Sequence, residues 1–159
     1  MDYENKILNY MKNNSDSITI EEVNKLNIPR VTLTRLVKKD IVERLKKGLY
    51  VIKNSWGDEY FNLTYGNNSA IYSHLTSLYL QDLCERVPME YDLTVKQNYS
   101  GPLADNNNVK LYYVNCENFE LGLIKIKSPQ GRIIKCYDVE RCLCDLIKCK
   151  DKIYLEYLK

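Results

Sequence analysis

Thr19-Ile20-Glu21-Glu22 opens the stretch that most limits how this chain can fold. A threonine followed three residues later by glutamate is a capping box: the hydroxyl accepts a helix-start N–H while the carboxylate reaches back. The helix it starts is short, with Val23 and Leu26 on its apolar side and Asn27 suited to a left-handed exit. Pro29 then suits the first turn of a second helix. On that second helix Leu33, Leu36 and Val37 share one face by the 3.6-residue period. Val31, Thr34, Arg35 and Lys38 lie opposite, flanked by Arg30, Thr32 and Lys39. Ile41-Val42-Glu43-Arg44-Leu45 and Leu49-Tyr50-Val51-Ile52 follow as two strands around Lys46-Lys47-Gly48, a hairpin tipped by lysines.

Charge is concentrated in the same stretch. Between Arg30 and Lys53 eight basic residues meet only Asp40 and Glu43, although the whole chain carries a net charge of +2. Residues 1–53 hold a net +4 and the remainder a net −2. A local basic cluster on a slightly acidic body is the electrostatic footprint of a nucleic-acid-binding module. Together, the element order from Ile20 to Ile52 and this charge read as a winged helix-turn-helix, whose second helix fits the B-DNA major groove. Arg30, Thr34 and Arg35 are the candidates for base edges, since arginine forks onto guanine O6 and N7. Threonine, with an exposed Val31, suits a thymine methyl, and Thr32 joins the set from the helix flank. Lys38, Lys39, Lys46 and Lys47 suit phosphates, which fix register without reading sequence. Arg44 is placed in a pair with Glu43 or Asp40 instead.

At 159 residues the chain holds one ordinary domain or two small ones. The turn-forming stretches Ser55-Trp56-Gly57-Asp58 and Tyr65-Gly66-Asn67-Asn68-Ser69 put a boundary near residue 60. Residues 1–60 are then the DNA-binding domain, with a first helix at Tyr3 to Lys12, and residues 61–159 a second, α+β domain. In that second domain the apolar spacing of Ile71, Leu75 and Leu78 predicts a helix from Ala70 to Cys84. Strands are expected at Tyr91–Lys96, Lys110–Asn115, Glu120–Lys127 and Arg132–Tyr137. Asp138 is placed to cap a last helix running to about Lys150, with Leu143, Leu146 and Ile147 inward. The expected fold class is α+β.

The chemistry of enzymes is thinly represented. No GxxxxGK[ST] or GxGxxG loop exists to cradle phosphates. His74 is the single histidine and sits within an amphipathic stretch, where a packing role is expected. Asp138 and Asp145 lie two helical turns apart, and Arg141 with Asp145 makes an i,i+4 ion pair. The six cysteines include Cys142-x-Cys144 followed by Cys149, which is not zinc spacing. With no signal peptide and no apolar run long enough for a bilayer, reduced thiols and a cytoplasmic location are expected. The expectation is therefore a non-enzyme with no catalytic residue, no cofactor, no metal and no membrane partner.

Four stretches carry a family likeness: Lys46-Lys47-Gly48-Leu49-Tyr50, Tyr72-Ser73-His74-Leu75-Thr76-Ser77-Leu78-Tyr79-Leu80, Val87-Pro88, and Tyr137-Asp138-Val139-Glu140-Arg141-Cys142-Leu143-Cys144-Asp145-Leu146. In this order they resemble the AbiEi family, antitoxins and transcriptional regulators of bacterial abortive-infection (phage-defence) systems. The resemblance implies a winged-helix DNA-binding domain joined to an α+β antitoxin domain. It implies operator binding at inverted repeats, with possible pairing of two copies on DNA, and repression of the chain's own operon. It further implies antagonism of a nucleotidyltransferase-like toxin without a stable complex, the type IV arrangement. Cys142 and Cys144 depart from the family pattern, which has Thr and Ile or Val there more often. The chain ends at Leu158-Lys159 just as a further helix begins, which reads as a truncated or short member. Two rival readings are an adaptor whose winged helix contacts a toxin or phage component, and a nucleotidyltransferase-like enzyme built on the second domain.

Overall fold

The capping box forms as its residues dictate. In the computed structural model, which describes residues 2–149, Thr19 Oγ1 accepts the Glu22 N–H at 3.2 Å and Glu22 Oε2 accepts the Thr19 N–H at 2.8 Å. Thr19 is also the last residue of strand β1 (Ser17–Thr19), so helix α2 (Ile20–Lys25) begins directly from a strand. Ahead of them, Asp2 caps helix α1 (Tyr3–Asn13) by accepting the Asn5 N–H. After α2 come α3 (Val31–Lys38), the antiparallel pair β2 (Val42–Lys46) and β3 (Leu49–Ile52), and a short helix α4 (Glu59–Thr64). The left-handed residues Asn27 (φ 54°) and Asp40 (φ 59°) end α2 and α3, the conformation that polar Asn and Asp tolerate best.

The described residues form two compact units: residues 2–66 with 127–133, and residues 67–126 with 134–149. In the first unit, β3 is the middle strand of a three-stranded antiparallel sheet ordered β1-β3-β2, with Ile18 opposite Tyr50 and Val42 opposite Ile52. Ile7 and Met11 of α1, Ile18, Val23, Ile28, Leu33, Leu36 and Val42 form its core. The inward side of α3 is Thr32, Leu33 and Leu36. That corrects the expected face: Val37 is exposed and Thr32, only 3% exposed, takes the core side.

The second unit is built on a five-stranded mixed sheet ordered β6-β5-β4-β8-β7, comprising β4 (Ala70–Tyr72), β5 (Tyr91–Lys96), β6 (Val109–Val114), β7 (Leu123–Lys127) and β8 (Ile133–Tyr137). Helices α5 (His74–Leu80) and α6 (Val139–Cys149) pack on each other, and Ile71, Leu78, Phe119, Tyr137, Cys142 and Leu146 fill the core. Helices and strands thus mix as the α+β reading requires. Two details differ from the sequence reading. Ala70–Tyr72 is the central strand, antiparallel to β5 and parallel to β8, and only from His74 does the chain turn helical. All three of its residues are buried, and a strand covered on both faces shows no alternation that would separate it from a helix.

Helix α6 is also rotated from the expected face. Arg141, Cys142, Asp145 and Leu146 point inward, whereas Leu143 is half-buried and Ile147 is 66% exposed. The ion pair is what turns inward. Arg141 Nε donates to Asp145 Oδ2 at 2.9 Å, its Nη1 donates to the carbonyls of Asn118 and Leu121, and its guanidinium lies 4.4 Å from the Tyr137 ring. A buried charge satisfied on every side is tolerated, and a pattern that counts all charges as outward misplaces it. Asp138 does cap α6, accepting the Arg141 N–H at 2.8 Å. The further helix expected at the C-terminus lies outside the described residues.

Candidate nucleic-acid interface

Because Thr32, Leu33 and Leu36 hold α3 to the core, the positions between them point away from it. Val31, Thr34, Arg35 and Lys38 are all exposed, and their spacing of three, four and seven residues makes one stripe along the helix. Val31 is 52% exposed, a large apolar side chain left on an otherwise polar stripe. Arg35 and Lys38 have no ion-pair partner among the described residues. Arg30 stands just ahead of α3, and its Nε donates to Asn24 Oδ1 on α2 at 3.2 Å. That bond anchors the guanidinium through Nε, and Arg30 is exposed.

Three of the nine candidate residues are placed differently from the sequence expectation. Thr32 is buried and cannot meet a base. Lys39 Nζ pairs with both Glu4 oxygens, at 2.7 and 2.9 Å, so its charge is largely spent on α1. Lys46 Nζ turns back to the carbonyls of Asn62 at 2.5 Å and Leu63 at 3.0 Å, closing the C-terminal end of α4. Burial lowers the pKa of that ammonium. Lys47 alone keeps the hairpin tip cationic; it is exposed beside Gly48. Among the other cations, Lys53 pairs with Asp40 at 2.7 Å, and Arg44 donates to the Lys46 carbonyl rather than to Glu43 or Asp40.

The hairpin tip is fastened by residues the sequence reading did not connect with it. Tyr65 Oη donates to the Gly48 carbonyl at 3.2 Å. Gly48 has φ +87°, and a Cβ there would come within 3.1 Å of that phenol oxygen, so both the turn and the contact favour glycine. Lys46 and Tyr65 thus tie the tip to α4 and the residue after it. No sequence signal short of the fold would link residues 46–48 to 62–65, because both ties are to backbone carbonyls.

Elsewhere in the same unit, Glu22 collects a second set of partners. Its carboxylate accepts from Arg132 Nη1 at 2.7 Å, from Arg132 Nη2 at 3.2 Å and from Tyr10 Oη at 3.1 Å. Burial pushes this carboxyl up, but the guanidinium, the Thr19 N–H and the phenol outweigh burial and hold it below its ordinary value. The Arg132 guanidinium also lies 4.1 Å from the Phe61 ring centre. Asp58, buried, caps α4 and holds Ser128 Oγ and the Arg132 N–H. The helix that carries the capping box is therefore braced by residues 127–133, more than a hundred positions away in sequence.

Residues 6–53 match the family model of transcriptional regulators described as AbiEi antitoxin, the family that the sequence resembles. The match runs from α1 through β3 and so covers the stripe, the hairpin and the basic cluster. It supports a role as a regulator or antitoxin. No curated protein matches the chain. No helix among the described residues is long and apolar enough to cross a membrane.

Proposed function

We propose, with the AbiEi-regulator match of residues 6–53 as premise, that this chain is a DNA-binding transcriptional repressor and antitoxin of a bacterial phage-defence operon. Helices α2 and α3 with the β2–β3 hairpin act as a winged helix-turn-helix, α3 entering the major groove of operator DNA. The observation that carries this reading is the exposed stripe Val31, Thr34, Arg35 and Lys38, held outward by a core that buries the opposite face. Arg30, Thr34 and Arg35 meet base edges and Val31 a thymine methyl, while Lys38 and Lys47 meet phosphates. Lys39 and Lys46 act from behind, one steadying α3 against α1 and the other the wing against α4. The chain works in the cytoplasm without catalysis. Two copies occupy an inverted repeat upstream of the chain's own gene, and the second unit opposes a nucleotidyltransferase-like toxin without a lasting complex.

Fluorescence anisotropy on the upstream region of its own gene tests this. Arg35→Ala is expected to weaken binding by about 1–3 kcal/mol and to relax preference at the base it reads. Lys38→Ala should weaken binding to all sequences alike and flatten the salt dependence by about one counterion. Equal affinity for scrambled DNA, together with no effect of Arg35→Ala, would refute the repressor reading. One observation favours the adaptor reading as second: Trp56 is 93% exposed in the first unit, and exposed tryptophan is a common interface anchor. A partner protein retained through purification and lost in Trp56→Ala, without DNA binding, would replace the first reading by this one.

A further inference from the structure

We propose that Leu45, the extra residue of a β-bulge in β2, is an apolar minor-groove contact that makes operator binding depend on the flank beyond the α3 site. The inference rests on the winged-helix reading above and adds to it an uncharged determinant. In the β2–β3 ladder Arg44 lies opposite Tyr50 and Lys46 opposite Leu49, so Leu45 is left without a partner. A bulge of this kind re-aims the side chain it carries. Leu45 is 47% exposed. β2 is the outer strand of its sheet and α3 packs against it, so the bulge lies on the element beside the recognition stripe.

A single exposed leucine is ordinary on a protein surface. This one differs in its mounting and its neighbours. The tip is tied by Lys46 Nζ to the carbonyls of Asn62 and Leu63, by Tyr65 Oη to the Gly48 carbonyl, and by Arg44 Nε to the Lys46 carbonyl at 3.4 Å across the bulge. Ordering Leu45 against a ligand therefore costs little backbone freedom. On either side stand Arg44 and Lys47, both exposed and without an ion-pair partner among the described residues.

An apolar side chain between two cations complements a groove with base edges on its floor and phosphates along its rims. With α3 in the major groove, the adjoining minor groove is the next one along the duplex, about 6 Å wide. A·T pairs present only acceptors there, whereas G·C adds the guanine N2 amino group. Leu45 would bury that donor without a partner, so G·C in the flank is disfavoured.

The test is fluorescence anisotropy with the whole chain and the duplex upstream of its own gene, and with versions changed to G·C in successive short blocks. Leu45→Ala is expected to weaken binding by roughly tenfold at every salt concentration, because an apolar contact releases no counterion. Lys47→Ala should instead flatten the salt dependence by about one counterion. In a block beyond the one that Arg35 reads, G·C should weaken the unmodified chain by about tenfold. Inosine·cytosine lacks the N2 amino group but keeps the major-groove pattern of G·C, so it should restore binding. Leu45→Ala should not distinguish the three duplexes. If Arg35→Ala weakens binding and Leu45→Ala does not, this inference falls and the repressor reading stands. Inosine behaving like guanine would also overturn it, since the contact would then lie outside the minor groove. No sequence-specific binding by the unmodified chain would overturn both.

Discussion

Arg132→Ala should cut amide-exchange protection across residues 17–38 by roughly a hundredfold, equivalent to about 3 kcal/mol. The reason is the charge left behind. Glu22 has a side chain only 19% exposed and Arg132 one 7% exposed, so water replaces little of what the guanidinium supplies. Removing one partner of a buried ion pair costs about 3–5 kcal/mol, because the other charge stays desolvated. The lower end applies here, since Glu22 keeps the Thr19 N–H and the Tyr10 hydroxyl. Contact with the Phe61 ring is lost as well. Arg132→Lys keeps the charge but not the two-pronged bond to both Glu22 oxygens, so an intermediate loss is expected. Arg44→Ala, at an exposed strand position, is the control and should change protection little. Unaltered exchange in Arg132→Ala would mean that residues 127–133 do not brace α2.

The same ion pair marks where the sequence stops being readable. The capping box, the left-handed exit at Asn27 and the outward stripe of α3 are local: three to seven residues specify each, and each was legible. Arg132 to Glu22 is not, because 110 residues separate them and nothing in Ser128-Pro129-Gln130-Gly131 distinguishes a docked turn from a solvated one. Lys46 is a comparable case. A lysine at a hairpin tip reads as a phosphate contact, yet a helix end nearby in space offers carbonyls that compete for its ammonium. On α6 the apolar period pointed to Leu143 and Ile147, while Arg141 goes inward because Asn118 and Leu121 present carbonyls to its guanidinium, and Asp145 because it accepts from Arg141 Nε. In each instance the missing information is a partner brought by the fold, and polar side chains depend on such partners far more than apolar ones do.

The second unit carries two buried titratable groups whose effects on stability run in opposite directions between pH 4 and pH 6. Tyr112 touches both: its ring stacks on His74 and its hydroxyl donates to Asp92 Oδ1 at 3.3 Å. Burial raises the pKa of Asp92 from 3.8 to about 6, against the opposing pull of the Thr76 N–H, Lys110 and Tyr112. Between those values the folded chain keeps a proton that the unfolded chain has lost, so stability falls as pH rises, by about 3 kcal/mol in all. Burial likewise lowers the pKa of His74 from 6.5 to about 4, helped by Lys110 and Arg141 and opposed by Asp145. There the unfolded chain takes up a proton that the folded one refuses, so stability falls as pH drops, again by about 3 kcal/mol. The two slopes nearly cancel in the unmodified chain, and single variants should separate them in urea melts at pH 4, 5, 6 and 7. Relative to Asp92→Asn, the unmodified chain should lose stability from pH 4 to pH 6. Relative to His74→Asn it should gain over nearly the same interval. If both difference curves are level, neither group is buried in the ionisation state that its surroundings here impose.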